Sequence, residues 1–173
     1  MYDPITRQDL FDGNRSGKSK VGAVGPVKMY KQVDCNCTIS RWFAMSNDPV
    51  KVRALATLHV PVGEEILRPQ YNSNKASKRV RASKATVKKI DPYYDTSLRV
   101  FINNPQDYVD CKCYSNDDNI YPSSIHRPTV DALPLKYRVY KTIRARSFEE
   151  NLAKEYGAGI NGYLTKDDAK KKP

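Results

Sequence analysis

The residues of this chain best placed to do chemistry are its four cysteines, which fall in two copies of one short pattern. Val-Asp-Cys-Xaa-Cys spans residues 33–37 and again residues 109–113. Cysteine sulfurs can bind a metal ion, form disulfides or carry a covalently attached prosthetic group. The candidate site for a metal, a disulfide or a covalent cofactor is therefore made of Cys35, Cys37, Cys111 and Cys113.

The spacing and context of the cysteines bear on each of these uses. Four thiolates suit tetrahedral zinc, but paired zinc ligands usually have two to four residues between them rather than one. Two disulfides between the copies would need an oxidising compartment, and residues 1–20 lack the apolar centre of a secretory signal. A thiol-linked prosthetic group would need a neighbouring group that activates the thiolate, and none is evident nearby in the sequence.

We favour a fourth explanation, in which the two copies are equivalent positions of a duplicated structural unit. The cysteines would then act as small, half-buried hydrophobes. This interpretation predicts that zinc and thiol-linked groups are absent. It also predicts a soluble protein in a reducing compartment, intracellular or organellar.

The charge balance predicts an acidic partner. The chain of 173 residues has 30 Lys and Arg against 19 Asp and Glu, a formal net charge of +11. Such a charge favours association with nucleic acid, an anionic surface or acidic proteins. No run approaches the roughly 18 apolar residues needed to span a bilayer, so we expect no membrane span.

Positive charge is densest in residues 72–89, which hold seven cations and no acidic residue. Clustered cations release counterions from phosphates, neighbouring rings can stack on bases, and arginines can clamp carboxylates. Tyrosines follow this stretch, and two arginines lie on the polar face of a later predicted strand. The candidate partner-binding residues are Lys75, Lys78, Arg79, Arg81, Lys84, Lys88, Lys89, Tyr93, Tyr94, Arg138 and Arg144.

One segment carries a family resemblance, in the pieces Arg41-Trp42-Phe43, Ser46-Asn47-Asp48-Pro49, residues 52–57, Gly63-Glu64-Glu65-Ile66 and Tyr71. Residues 41–72 resemble the C-terminal half of a SET domain. The resemblance implies part of a methyl-donor site, with Tyr71 facing a substrate lysine. However, Ala44-Met45-Ser46 replaces the Asn-His-Ser of that family, and Tyr71 lies one residue further from Glu65 than in its pattern. A lysine methyltransferase or an inactive relic is therefore an alternative prediction.

The elements that would position these residues are mostly strands. Residues 50–60 alternate between apolar and polar side chains, apart from Leu55, and residues 98–102 and 136–144 are rich in β-branched and aromatic residues. A short helix is predicted after Ser147, because Ser147 and Glu150 have the spacing of a capping box.

These patterns predict a mainly β (α+β) fold with a small β core, extended polar arms and one short C-terminal helix. Hydrophobic residues make up 39% of the chain, Tyr included, which is consistent with a small core. The predicted organisation is an extended N-terminal arm over residues 1–20, a β-rich domain over 21–157 with related halves around 33–37 and 109–113, and a basic tail over 158–173.

The predicted function is that of a non-enzymatic structural or linker protein. It would bind an acidic partner, either an acidic protein lattice or nucleic acid, within a large assembly. A small zinc-stabilised nucleic-acid-binding protein is a further alternative, beside the SET-type methyltransferase.

Overall fold

The structure is a computed structural model that describes residues 5–13, 21, 26–39, 49–69, 77–115, 135–152 and 157–171. These residues form one large β-sheet with two short helices. The strands are β1 Val27–Ile39, β2 Val50–Val60, β3 Ile66–Leu67, β4 Arg79–Ala82, β5 Lys84–Asp95, β6 Val100–Phe101, β7 Tyr108–Ser115, β8 Leu135–Tyr137, β9 Thr142–Arg144 and β10 Ile160–Tyr163. The helices are α1 Arg7–Phe11 and α2 Lys166–Lys171, and Pro105–Asp107 forms a 3₁₀ turn.

The strands surround the core in a circuit, one link of which is the chain itself rather than a strand pair. β1 pairs with the whole of β2 from Val27 to Cys37, and β2 pairs with β5. β4 continues into β5 through Ser83, and β4 pairs with β10, which also pairs with β1. All these pairs are antiparallel. The path from β1 through β2, β5, β4 and β10 therefore returns to β1.

The hydrophobic cluster inside this circuit draws on nearly every strand. It includes Met29 of β1, Leu58 of β2, Val87 of β5 and Ile160 of β10, all completely buried. The mainly β class is confirmed. The predicted small core is wrong, because the paired strands extend into one sheet of ten strands rather than a compact minimal unit.

The strand predicted over residues 50–60 is confirmed, with the same bounds as β2. Val52, Ala54 and Leu58 on its predicted apolar face are buried in the core cluster. Leu55 lies on the opposite face and is buried as well. Helix α2 contacts β1 and β2, and Lys166 at its start lies over the Tyr30 ring on that same outer face. Helix α2 therefore covers part of the outer face of the sheet.

The other two predicted strands differ from the structure. Residues 136–144 form two strands, β8 and β9, separated by a turn in which Tyr140 has a φ of 67°. A positive φ cannot continue an extended strand, so the alternation of side chains ends there. Within residues 98–102 only Val100 and Phe101 form a strand.

The predicted helix after Ser147 is wrong for the described residues 147–152, none of which is helical. Instead, the carbonyls of Glu149 and Asn151 accept hydrogen bonds from Arg81 of β4, at 2.9 and 3.0 Å. The Glu149 N–H donates to the carbonyl of Ala158 at 2.8 Å. Tertiary hydrogen bonds thus replace those that a helix would make.

The N-terminal arm predicted over residues 1–20 also differs where the structure describes it. Thr6 and Asp9 form a capping box at the start of α1, with each side chain accepting from the other residue's N–H. Leu10 is completely buried in the core cluster. Arg68 donates to the carbonyls of Leu10 and Phe11 at the C-terminal end of α1, where the carbonyls lack the full set of helical partners. Residues 5–13 are therefore part of the folded domain.

The four cysteines form two disulfides between β1 and β7. Cys35 is bonded to Cys113 and Cys37 to Cys111, across sequence separations of 78 and 74 residues. The prediction that the cysteines are uncombined hydrophobes is therefore wrong, as is the reducing compartment. Disulfides between chain-distant strands form and persist in oxidising environments. The two related halves stay a prediction. The basic tail predicted over residues 158–173 differs from the structure over 158–171, because β10 pairs with β1 and β4, and Ile160 and Leu164 are buried in the core.

Removing both disulfides should destabilise the fold strongly, while removing one should cost much less. In the chain-entropy model, closing a loop of this length stabilises the folded state by about 4.5 kcal/mol. Either bond alone closes nearly the same loop. We expect the Cys37→Ala, Cys111→Ala variant to keep most of the stability that the quadruple Cys→Ala variant loses, as measured by urea unfolding. Additive losses from the two pairs would contradict this account.

Candidate binding surface

The outer face of the sheet carries a row of polar and aromatic residues directly over the disulfide region. Residues paired across neighbouring strands point to the same face, so the register defines the row. Asp34 of β1 lies between Tyr114 of β7 and Arg53 of β2. The row continues from Arg53 to Tyr94 of β5 and then to Phe101 of β6.

A parallel row of cations lies beside it. Asn36 of β1 pairs with Lys51 of β2 on one side and with Lys112 of β7 on the other. Lys136 of β8 pairs with Tyr114 at the end of the first row. We call these two rows the outer patch, which consists of Asp34, Asn36, Lys51, Arg53, Tyr94, Phe101, Lys112, Tyr114 and Lys136.

The outer patch is open to solvent and positively charged. Lys51, Lys112, Lys136 and Asp34 are exposed, while Arg53 and the two tyrosines are half-buried. Phe101 is 74% exposed, which is unusual for so large an apolar side chain. Four cations against one carboxylate give this face a positive potential that attracts anions.

Arginine and aromatic rings are packed together at one end of the outer patch. The Arg53 guanidinium carbon lies 5.6 Å from the centre of the Tyr94 ring. The Tyr94 and Phe101 rings meet edge to face, with centroids 5.3 Å apart and planes inclined by 71°. These contacts fix the orientation of the rings on the sheet.

An open groove of about 780 Å³ adjoins the other end of the outer patch. Lys112, Lys136 and Arg138 contribute cations to its lining, and Asp110 contributes a carboxylate. Arg138 is exposed, so one of the predicted partner-binding residues lies at this groove. The groove therefore extends the positive surface past the edge of β7.

The disulfides hold the strands of the outer patch together from beneath. Cys35 and Cys113 pair across β1 and β7, between the rungs that carry Tyr114 and Lys112. Cys35 is 1% exposed and Cys113 is 4% exposed, because their side chains point into the core. The cross-links thus fix the register that places the β7 residues in line with those of β1.

Two of the predicted partner-binding arginines are buried rather than exposed. Arg81 is completely buried, and its side chain donates to the backbone carbonyls of Glu149 and Asn151. Burial lowers the pKa of Arg81, which nearby Glu149 partly offsets. Arg79 is 7% exposed and donates to the Asn161 side-chain oxygen. Both arginines are structural, so the prediction that they bind a partner is wrong.

Glycine at 159 permits this burial. Gly159 has a φ of 141°, and a Cβ there would lie 2.8 Å from the side chain of Arg81. Lys31 is buried nearby and donates to the Asn161 carbonyl at 2.6 Å. Backbone carbonyls and side-chain oxygens therefore satisfy cations inside the fold, as buried charges require.

The remaining cations of the basic stretch, and Arg144 of β9, lie apart from the outer patch. Lys84 and Arg144 approach the Glu64 carboxylate at 3.8 and 3.7 Å. Lys89 pairs with Asp91, and Lys88 is exposed. The Lys78 N–H donates to Asp168 of α2. Lys75 lies outside the described residues.

The two predicted tyrosines have different surroundings. Tyr94 belongs to the outer patch. Tyr93 accepts a hydrogen bond from Gln32, and the Lys170 ammonium lies 5.2 Å from its ring centre. Burial raises the pKa of Tyr93. Tyr93 therefore belongs to the covered half of the outer face, under α2.

The SET-like segment is described only in part. Residues 52–57 lie in β2, and Ile66 begins β3. Residues 41–48 and Tyr71 lie outside the described residues, so the resemblance stays a prediction. Sequence reasoning missed the outer patch itself, because its members come from six strands and form no linear pattern.

Over the described ranges, the chain has no group of three or more His, Cys, Asp or Glu side chains arranged to hold a metal ion. None of the helices found there is long and apolar enough to cross a membrane.

No family model and no solved structure matches the chain. The chain is similar to "Uncharacterized protein L812" of Acanthamoeba polyphaga mimivirus, with 27% identity over 160 residues, covering 90% of this chain and 85% of that protein.

Substituting Arg81 should destabilise the fold rather than weaken partner binding. Arg81→Ala would leave the Glu149 and Asn151 carbonyls without this donor and would leave a cavity in place of the side chain. We expect the free energy of unfolding to fall by about 3 kcal/mol or more, measured by urea unfolding. Exposed Lys88→Ala, the matched control, should change it by less than about 0.5 kcal/mol. Equal stability of the two variants would place Arg81 at the surface.

His59 should titrate below its ordinary value of 6.5. Burial is the main cause of the lowered pKa, and the positive charges of Lys88 and Lys28 add to it. A depressed pKa means that the unfolded chain binds the proton more readily, so this group destabilises the fold as pH falls through 6.5. NMR titration should show Lys88→Gln raising the pKa of His59, with the signal assigned by its loss in His59→Gln. An unchanged pKa in Lys88→Gln would contradict the electrostatic contribution.

Proposed function

We propose that this chain is a non-enzymatic structural or linker protein that binds an acidic macromolecular partner through the outer patch. The observation that carries the proposal is the concentration of exposed cations, and of one largely exposed aromatic ring, on a face whose strands are covalently cross-linked. A cross-linked sheet presents these groups in a fixed arrangement. Binding then costs little ordering entropy.

A linker needs a second contact surface, and the far side of β5 offers one. Val139 is 41% exposed and Tyr140 is 80% exposed, at the turn between β8 and β9. The Tyr140 N–H donates to the carbonyl of Val87, which fixes this turn on β5. Val87 and Tyr94 are seven residues apart on β5, so the turn and the outer patch are separated by roughly 23 Å. An aromatic ring on a fixed turn is a typical protein contact.

The disulfides and the similar viral protein L812 support a location for this role. Disulfides persist in secreted proteins and on virion and cell surfaces. The similar protein L812 comes from a virus. We therefore place the proposed function outside the reducing interior of the cell, on a particle, on a cell surface or in secreted material.

The proposal predicts binding to polyanions that weakens steeply with salt. The oxidised full chain should bind either polyglutamate or an oligonucleotide in fluorescence anisotropy. Replacing Lys51, Lys112 and Lys136 together by Gln should weaken this binding. For an oligonucleotide, it should also make the log–log salt slope shallower by about 2 units.

The matched control replaces three exposed lysines outside the outer patch. Lys28, Lys88 and Lys141 are exposed and lie toward the His59 end of the sheet. Their joint replacement by Gln removes the same net charge and should change the affinity far less. Equal losses from the two triple variants would show that net charge, rather than the outer patch, governs binding. Binding to neither polyanion would refute the proposed function.

A further inference from the structure

We infer that the acidic partner of the outer patch is single-stranded nucleic acid. This inference rests on the proposed function and names its partner class. Three properties of the patch lead to it: exposed ring surface, cations that flank the rings, and a row long enough for several nucleotides.

Exposed ring surface is the first property. Phe101 is 74% exposed although it packs against Tyr94, so most of its surface faces solvent. Tyr114 lies half-exposed at the other end of the same row. An acidic protein offers carboxylates, which gain little from aromatic rings. Unpaired bases gain about 1–3 kcal/mol each by stacking on such rings.

The placement of the cations is the second property. Lys51 and Lys112 form the rung next to the aromatic row, and Lys136 lies at its end beside Tyr114. A strand whose bases lie on the row would therefore have its phosphates near the lysines. Arg53 on Tyr94 combines both roles, since a stacked guanidinium can also contact a base or a phosphate.

The length of the row is the third property. The row crosses six strands from β8 to β6, or roughly 24 Å at the usual strand spacing. This length accommodates several nucleotides. A duplex keeps the faces of its bases stacked inside, so it could use only the lysines. Stacking on aromatic rings is tolerant of sequence, so we expect little sequence preference.

Asp34 provides an internal check on this geometry. It is exposed in the middle of the row, directly opposite Arg53 on the neighbouring strand. A phosphate nearby would be repelled by its carboxylate. Asp34→Asn should therefore strengthen oligonucleotide binding several-fold at low salt and leave the fold intact.

The test compares an oligothymidylate of about 20 nucleotides, a duplex of the same length and polyglutamate as probes of the oxidised full chain. Phe101→Ala should weaken oligothymidylate binding by about tenfold and leave polyglutamate binding unchanged. Val62→Ala removes an exposed apolar side chain in the turn after β2, outside both the outer patch and the second contact surface, and is the matched control. Because both side chains are exposed, neither variant should unfold.

The outcomes separate the inference from the proposed function. The inference is refuted if Phe101→Ala binds oligothymidylate as tightly as the unmodified chain does, or if the duplex or polyglutamate binds as tightly as the single strand. In either case, binding that is still lost in the Lys51, Lys112, Lys136 variant supports an acidic partner of another class. Absence of binding to all three probes refutes both.

Discussion

The two disulfides between β1 and β7 are the constraint on which the exposed surface depends. β7 pairs with β1 from Tyr108 to Tyr114, but the register shifts between Asn36 and Thr38. Asp110, beside this shift, has a φ of 52°, which a non-glycine residue adopts only at some cost. Hydrogen bonds alone would hold so irregular a pair weakly. The covalent bonds fix its register and with it the alignment of the two rows.

The sequence predicted the parts of this fold that depend on local patterning. β2 follows from an alternation that only Leu55 breaks, and the β-rich class follows from similar runs. The capping box of Thr6 and Asp9 is visible in the sequence as well, although the surrounding polar residues favoured an extended arm. The predicted helix after Ser147 shows the opposite error, because a valid local signal was overridden by hydrogen bonds from distant Arg81.

The predictions made from the cysteines and from the basic stretch were wrong for different physical reasons. Residues two apart in a strand point to the same face, so Cys-Xaa-Cys on two antiparallel neighbours aligns both pairs for disulfides. The disulfide pairing follows once both segments are assigned as strands, but the predicted reducing compartment argued against disulfides. The charge run over residues 72–89 was interpreted as surface. Arg79 and Arg81 are buried, and carbonyls and side-chain oxygens from residues 149–161 accept hydrogen bonds from them.

The two disulfides contribute differently to the stability of the fold and to the rigidity of the outer patch. A domain of this size is usually stable by only about 5–15 kcal/mol. Closing one long loop with a disulfide contributes about 4.5 kcal/mol of that by restricting the unfolded chain. The second disulfide closes almost no additional loop, so its main effect is local: it holds β7 against β1 next to the bulge. Lys112 lies between the two bonded cysteines of β7, and Tyr114 follows Cys113 directly. The second disulfide therefore mainly rigidifies the strands that carry the outer patch and adds little to the stability of the whole fold.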